Sequence, residues 1–142
     1  MKTALAILDV KGHEVLSVTS SSMVLDAVQL MSDRGIGALL VMDDYALQGI
    51  VSERDYARKV ILAGRASKDT PVSDIMTRDL ITVTPEHTTE ECLSVMTERR
   101  VRHLPVLANG NVDGILSIGD LVKAIMAEQK HLIAQFQQYI AG

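Results

Sequence analysis

The chain of 142 residues has one cysteine, no tryptophan, one phenylalanine, three tyrosines and three prolines, and each shortage removes a class of function. Cys92 alone cannot make an intramolecular disulfide or a cysteine metal site, which fits a reducing compartment. His13, His87, His103 and His131 are scattered, with no pair at the spacings that place two ligands on one metal. No metal centre is expected. A net charge of -4 and few rings leave out the basic field and stacking surfaces that nucleic-acid binding uses. No apolar run approaches the roughly 20 residues of a membrane-spanning helix. At the N-terminus, Ala4 to Leu8 is stopped by Asp9, too short for a signal-peptide core and with no cleavage site after it. These shortages predict a soluble, cytoplasmic protein with neither membrane nor nucleic acid as partner.

What is present is a repeat. Sliding the chain on itself by 65 residues lays Val15 to Val60 over Leu80 to Ile125 without a gap, and ten of the 46 pairs are identical, where composition alone predicts roughly three. The identities include Met31/Met96, Arg34/Arg99, Gly49/Gly114, Ser52/Ser117 and Asp55/Asp120.

Each copy begins with a β-branched stretch, Val15 to Thr19 or Leu80 to Thr84, followed by Ser, Thr or Pro residues that suit a helix cap. Val24, Ala27, Val28 and Met31 then fall at helical spacing, and Thr89, Cys92, Leu93 and Met96 repeat the stripe. Cys92 thus replaces Ala27 on a buried face and reads as a small core residue rather than a nucleophile. Two strands come next, Ala38 to Met42 and Leu47 to Val51, answered by Leu104 to Leu107 and Val112 to Leu116. Asn109-Gly110 gives the second pair a tight-turn signal, and Asp43-Asp44 a weaker one in the first. A second helix starts at Ser52 or Ser117. Its apolar face is Tyr56, Ala57, Val60 and Ile61, or Leu121, Val122, Ile125 and Met126.

The predicted fold class is therefore α/β, with two β-α-β-β-α repeats packed in pseudo-twofold symmetry. Repeat 1 with a lead-in takes residues 1–66, a connector and repeat 2 take 67–128, and a helical extension takes 129–142. The offset also places Ile7 over Val72 and Val10 over Ile75, an apolar lead-in before each repeat, with one helical turn at Val72 to Met76. With three short strands apiece, neither copy is expected to close a core alone.

The segment most able to carry chemistry is Gly49-Ile50-Val51-Ser52-Glu53-Arg54-Asp55, repeated as Gly114-Ile115-Leu116-Ser117-Ile118-Gly119-Asp120. Ser-x-x-Asp is close to a capping box, in which the serine accepts from a helix amide and the acid reaches back. The same geometry also offers unpaired N-H groups to an anion and a carboxylate to the two hydroxyls of a ribose. Before the second strand, Arg99-Arg100-Val101-Arg102-His103 stands where repeat 1 has Arg34-Gly35-Ile36-Gly37-Ala38. That basic cluster reads either as a solvated edge or as a phosphate clamp.

The duplicated unit, the lead-in Val72-Ser73-Asp74-Ile75-Met76-Thr77, the strand entry Arg102-His103-Leu104-Pro105-Val106 and the paired G-h-h-S-x-x-D segments resemble a tandem CBS-domain pair, or Bateman module, over essentially the whole chain. The resemblance implies two clefts between the repeats that bind AMP, ATP or ADP, S-adenosylmethionine or NAD. It assigns Asp55 and Asp120 to ribose hydroxyls, with Ser52, Arg54 and Ser117 beside them, and Arg102 and His103 to phosphate. Gly37 and Ala38 carry no charge, so a second, equivalent phosphate site is not expected.

No nucleophile with a base in reach, metal or paired carboxylates of separated acidity accompanies these residues. The chain therefore reads as a non-catalytic sensor without a catalytic cofactor, acting on an unidentified partner such as a regulated enzyme or transporter in trans. The competing reading is a ligand-independent dimerisation or protein-interaction module. Leu132, Ile133, Phe136 and Ile140 form a stripe with no counterpart in repeat 1, which predicts a homodimer.

Overall fold

The computed structural model describes residues 2–141. The chain divides into two compact units, one of Glu14–Ile81 and one of Met1–His13 together with Thr82–Gly142.

In the first unit, β1 (Ser17–Val18) pairs in parallel with β2 (Ala38–Asp43), which pairs antiparallel with β3 (Ala46–Ser52), giving the sheet order β1-β2-β3. Helix α2 (Val24–Arg34) lays Val24, Ala27 and Met31 on the sheet and ends at Gly35, whose φ of 64° only a residue without Cβ adopts at little cost. The hairpin turn falls on Asp44 and Tyr45, both at positive φ, one residue later than the expected Asp43-Asp44, because Asp43 is still paired with Ala46. Helix α3 (Glu53–Tyr56) passes into a π-helical turn over Ala57–Ile61 and stops at Gly64, φ 69°.

In the second unit, α1 (Ala4–Lys11) and α4 (Thr89–Arg99) accompany the hairpin of β4 (His103–Ala108) and β5 (Asn111–Ser117). Helix α4 starts on a capping box of Thr88 and Glu91. The stretch 80–84, expected to be a strand, makes only one parallel bridge, Val83 to Val106. Repeat 1 explains the loss. There the Leu40 N-H donates to the Leu16 carbonyl at 3.3 Å, and the residue matching Leu40 is Pro105, which has no N-H to give. Helix α5 (Ile118–Ala141) runs 24 residues without a break, since Gln129 occupies the place that Gly64 holds in repeat 1.

In the unit of repeat 1, Val24, Met31, Leu39, Val41, Val51 and Val60 form one buried cluster that takes in residues from outside the copy. The lead-ins supply the outside residues in both units. Val72, Ile75 and Met76 pack into the cluster of the repeat that precedes them, while Ala4, Ile7 and Leu8 of α1 are buried in the unit of repeat 2. The two lead-ins also differ in form, for Val72–Asp74 is a single 3-10 turn and Val10 is 87% exposed where Ile75 is buried. The apolar faces of the second helices are narrower than their spacing implies. Val60 and Leu121 are buried, but Ile61 and Met126 are mostly exposed.

Candidate functional site

Each strand-to-helix junction is built the same way. The register sets Ala38 opposite Ser52 and His103 opposite Ser117. The first helical residue then ties down the loop before the hairpin. Glu53 N-H donates to the Gly37 carbonyl at 3.0 Å, and Ile118 N-H to the Arg102 carbonyl at 2.9 Å. The backbone of Arg102 is thereby held at the start of α5, within one unit.

The capping interpretation of Ser-x-x-Asp holds at both junctions. Asp55 N-H donates to Ser52 Oγ at 3.2 Å while Ser52 N-H donates to Asp55 Oδ2 at 3.0 Å. Asp120 N-H donates to Ser117 Oγ at 3.1 Å while Ser117 N-H donates to Asp120 Oδ2 at 2.8 Å. Capping fixes each carboxylate at the helix start without consuming all its lone pairs.

The two carboxylates differ in what else they accept. Asp55 takes Ser52 Oγ on Oδ2, and Thr77 Oγ1 at 3.3 Å with Lys59 Nζ at 3.2 Å on Oδ1. Asp120 takes Lys11 Nζ at 2.7 Å on Oδ2, the oxygen that already caps the helix. No hydrogen bond to Asp120 Oδ1 occurs among the described residues. Burial pushes the Asp120 carboxyl up, but the Lys11 hydrogen bond, the Ser117 N-H and the Lys11 charge together bring it below the ordinary value.

Both lysines use a second anchor. Lys11 also donates to the Ile115 carbonyl at 2.6 Å, and Lys59 to the Ile75 carbonyl at 2.9 Å. They are not repeat equivalents, since Lys11 comes from α1 and Lys59 from the π-helical turn. Sequence reasoning missed both. Lys59 stands four residues after Asp55, a spacing that signals a helical ion pair, whereas Lys11 reaches Asp120 only because α1 packs with repeat 2. Thr77 lies in the lead-in motif, yet its contact with Asp55 was not anticipated.

His103 is half-buried, and its pKa falls below the ordinary value, first through burial and then through the charges of Lys11 and Arg102, which outweigh Asp120. The ring is therefore largely neutral at pH 7, and the fixed positive charge here belongs to Arg102 and Lys11. Arg102 and Arg54 are exposed. Cys92 is fully buried, and desolvation pushes its thiol up to about 11, which leaves it inert. No group of three or more His, Cys, Asp or Glu residues able to hold a metal occurs among the described residues, and no helix among them is long and apolar enough to cross a membrane.

The model of the CBS domain matches residues 7–61 and 72–127. CBS domain-containing protein CBSX3, mitochondrial, of Arabidopsis thaliana is 43% identical over 129 residues, which are 87% of this chain and 63% of the plant protein. The chain thus spans less than two-thirds of that relative. A protein with CBS domains from Burkholderia ambifaria MC40-6 has been solved and superimposes with a TM-score of 0.87 at 50% identity, covering 90% of this chain and 96% of its own. The CBS-domain containing protein ATU1752 from Agrobacterium tumefaciens gives a TM-score of 0.83 at 37% identity, covering 87% and 98%. Both matched segments end just past a Ser-x-x-Asp junction of the same construction, and the chain belongs to the CBS-domain family, whose paired members are regulatory modules.

Proposed function

We propose that this chain is a non-catalytic sensor of adenosine-containing ligands, AMP foremost, with ATP, ADP, NAD and S-adenosylmethionine as the other members of the class. The observation that carries the reading is the junction of the repeat-2 unit, where Asp120 keeps an oxygen that accepts from no donor among the described residues while Arg102, Lys11 and the start of α5 supply positive potential. A carboxylate oriented by its own helix cap can accept ribose hydroxyls, and a guanidinium at a helix N-terminus suits a phosphate. Ser117 and His103 complete this set, and Ser52, Arg54 and Asp55 form the corresponding set in repeat 1. The CBS domain pair of protein MJ0100, 21% identical with a TM-score of 0.78, is solved with 5-methylthioadenosine and S-adenosyl-L-methionine. At that identity the likeness carries the fold, and the ligand class for this chain rests on the junction residues.

The test is a thermal-shift panel of AMP, ADP, ATP, NAD, NADH and S-adenosylmethionine. A ligand that binds only the folded state raises the melting temperature, by about 2.7 kcal/mol of stabilisation at a hundredfold excess over Kd. A flat response to all six at millimolar concentration overturns the reading. Consumption of any of them that tracks the protein and vanishes in an Asp55→Ala, Asp120→Ala double variant overturns the non-catalytic part.

A second reading, a ligand-independent dimerisation module, is favoured by one observation. Leu132, Ile133, Phe136 and Ile140 are all more than half exposed along the free end of α5. A homodimer through this stripe is compatible with ligand binding, as is regulation of an enzyme or transporter in trans.

A further inference from the structure

Helix α1 is attached to the repeat-2 unit by three successive contacts near its C-terminal end. Leu8 lies over Gly114, where a Cβ would meet Leu8 Cδ2 at 2.6 Å. Lys11 donates to the Ile115 carbonyl and to Asp120. His13, just past the helix, has Nε2 at 2.8 Å from Asp9 Oδ1 and Nδ1 at 3.0 Å from the Asp113 carbonyl and 3.2 Å from Asp113 Oδ1.

Among the described residues, every atom within hydrogen-bond distance of the His13 ring nitrogens is an acceptor. A neutral imidazole has one N-H and one lone pair, so it satisfies one side and turns its lone pair toward an oxygen on the other. Only the doubly protonated ring makes both sets of bonds. The ionisable groups facing it are Asp9 on α1 and Asp113 on β5, whereas Lys11 is turned to Asp120 and Ile115.

We propose that His13 is a proton-dependent fastener of α1, and that its protonation sets how firmly Lys11 is held on Asp120. Losing the proton opens one side of the bridge between α1 and Asp113. The helix end that delivers Lys11 then frays, because Gly12 behind it sits at φ 111° and its N-H bond to the Leu8 carbonyl is the last that α1 makes. The direction of the His13 shift agrees, since the Asp9 and then the Asp113 hydrogen bonds raise its pKa. His13 acts as a positioning residue, for it touches no group of the junction. Lys11 links it to the Asp120 carboxylate, so the proton is an input to this unit that repeat 1, lacking an equivalent lysine and histidine at Met76 and Arg78, does not share.

The fastener needs no ligand, while its effect on affinity rests on the adenosine-binding reading above. Three measurements on the full chain test it: imidazole titration by NMR, amide-exchange protection of residues 8–12 from pH 5.5 to 8.5, and the titration of the Asp120 carboxyl. Protection is expected to fall about two- to fivefold as His13 loses its proton, the range of an exposed ion pair. His13→Gln should hold protection at the lower level at every pH and titrate Asp120 higher than wild type. Constant wild-type protection through the His13 titration, or a pH dependence that survives in His13→Gln, overturns the proposal.

Adenosine is the ligand probe, because a phosphate titrates near pH 6 itself. Its affinity should weaken with rising pH by the same factor relative to His13→Gln, a comparison that cancels titration of His103. If no adenosine binds while protection of α1 still follows His13, the fastener stands and the ligand reading falls. If adenosine binds and protection stays flat, the reverse holds.

Discussion

Lys11 and Asp120 are paired at 2.7 Å across 109 positions of sequence, and the lysine belongs to the helix that leads into the other repeat. Asp120 has only 17% of its side chain exposed, so the lysine offsets part of what burying its charge costs. Its folded-state pKa lies below the unfolded one. The resulting stability is present at pH values above the unfolded pKa of about 4 and is lost as pH falls through the folded value. Lys11→Met should remove about 1 kcal/mol at neutral pH, a figure held low because Lys11 itself is one-third exposed. It should also flatten the acid limb of the stability curve without abolishing it. Asp43 and Glu91 remain depressed, by the Ser20 hydroxyl and the Thr88 N-H in turn. Urea denaturation from pH 2.5 to 7 reads both effects.

The glycine of each G-h-h-S-x-x-D segment is explained by close approach and not by backbone angle. A Cβ on Gly49 would stand 2.7 Å from the Thr77 carbonyl oxygen and one on Gly114 2.6 Å from Leu8. Gly49→Ala would pry apart the reciprocal Ile50 and Thr77 backbone bonds of 3.0 and 2.8 Å. Gly114→Ala would displace a leucine with no exposed surface. Each should lose about 1–3 kcal/mol in chemical denaturation. Gly119→Ala, whose nearest contact is 3.6 Å, should be neutral or gain up to about 1 kcal/mol as a helix position.

Cys92 should resist alkylation in the native protein at pH 8 and react only as fast as the chain unfolds. Its thiol is fully buried and pushed up to about 11. Rapid labelling without denaturant would contradict the burial.

Periodicity made the hairpins and the stripes of α2 and α4 legible, because Leu39, Val41, Leu104 and Val106 repeat a pattern that only a buried strand needs. The capping boxes were legible for the same local reason. What escaped depends on tertiary placement. Nothing in the sequence near Lys11 says that α1 packs beside β5, and its repeat partner Met76 carries no charge to hint at the role. The missing first strand of repeat 2 turned on a single N-H that Pro105 lacks, an effect visible only once Leu40 and Leu16 are seen paired. The length of α5 followed from Gln129 replacing Gly64, a difference that lies just beyond the aligned pairs.

The free end of α5 leads to a prediction about assembly. Beyond Lys130 the helix carries His131 as its sole ionisable side chain other than Tyr139, and every described residue from His131 to Ala141 is exposed. A helix of this composition is stabilised by a partner more than by water. Sedimentation should find a dimer whose dissociation constant rises at least tenfold when the chain is truncated after Glu128. A monomer at micromolar concentration, or an unchanged constant after truncation, removes the stripe as an interface.

The two junctions should bind unequally, and the contacts of their carboxylates say which is stronger. A ribose approaching Asp55 must displace Thr77 Oγ1 or Lys59 from Oδ1, since both oxygens are already engaged. At Asp120 it meets an oxygen that accepts from no donor among the described residues, with Lys11 on the other oxygen and Arg102 at the same helix start to oppose a phosphate charge. One charge-assisted contact more is worth roughly 1.5 to 3 kcal/mol, or about tenfold to a hundredfold in Kd. In calorimetry with AMP, Asp120→Ala should therefore abolish the tighter site, and Asp55→Ala should remove a weaker one or leave the isotherm unchanged. Arg102→Ala should cost AMP far more than it costs adenosine, because adenosine has no phosphate to lose. Equal losses for the two ligands would return Arg102 to the solvated edge, and loss of the tight site in Asp55→Ala would reverse the assignment.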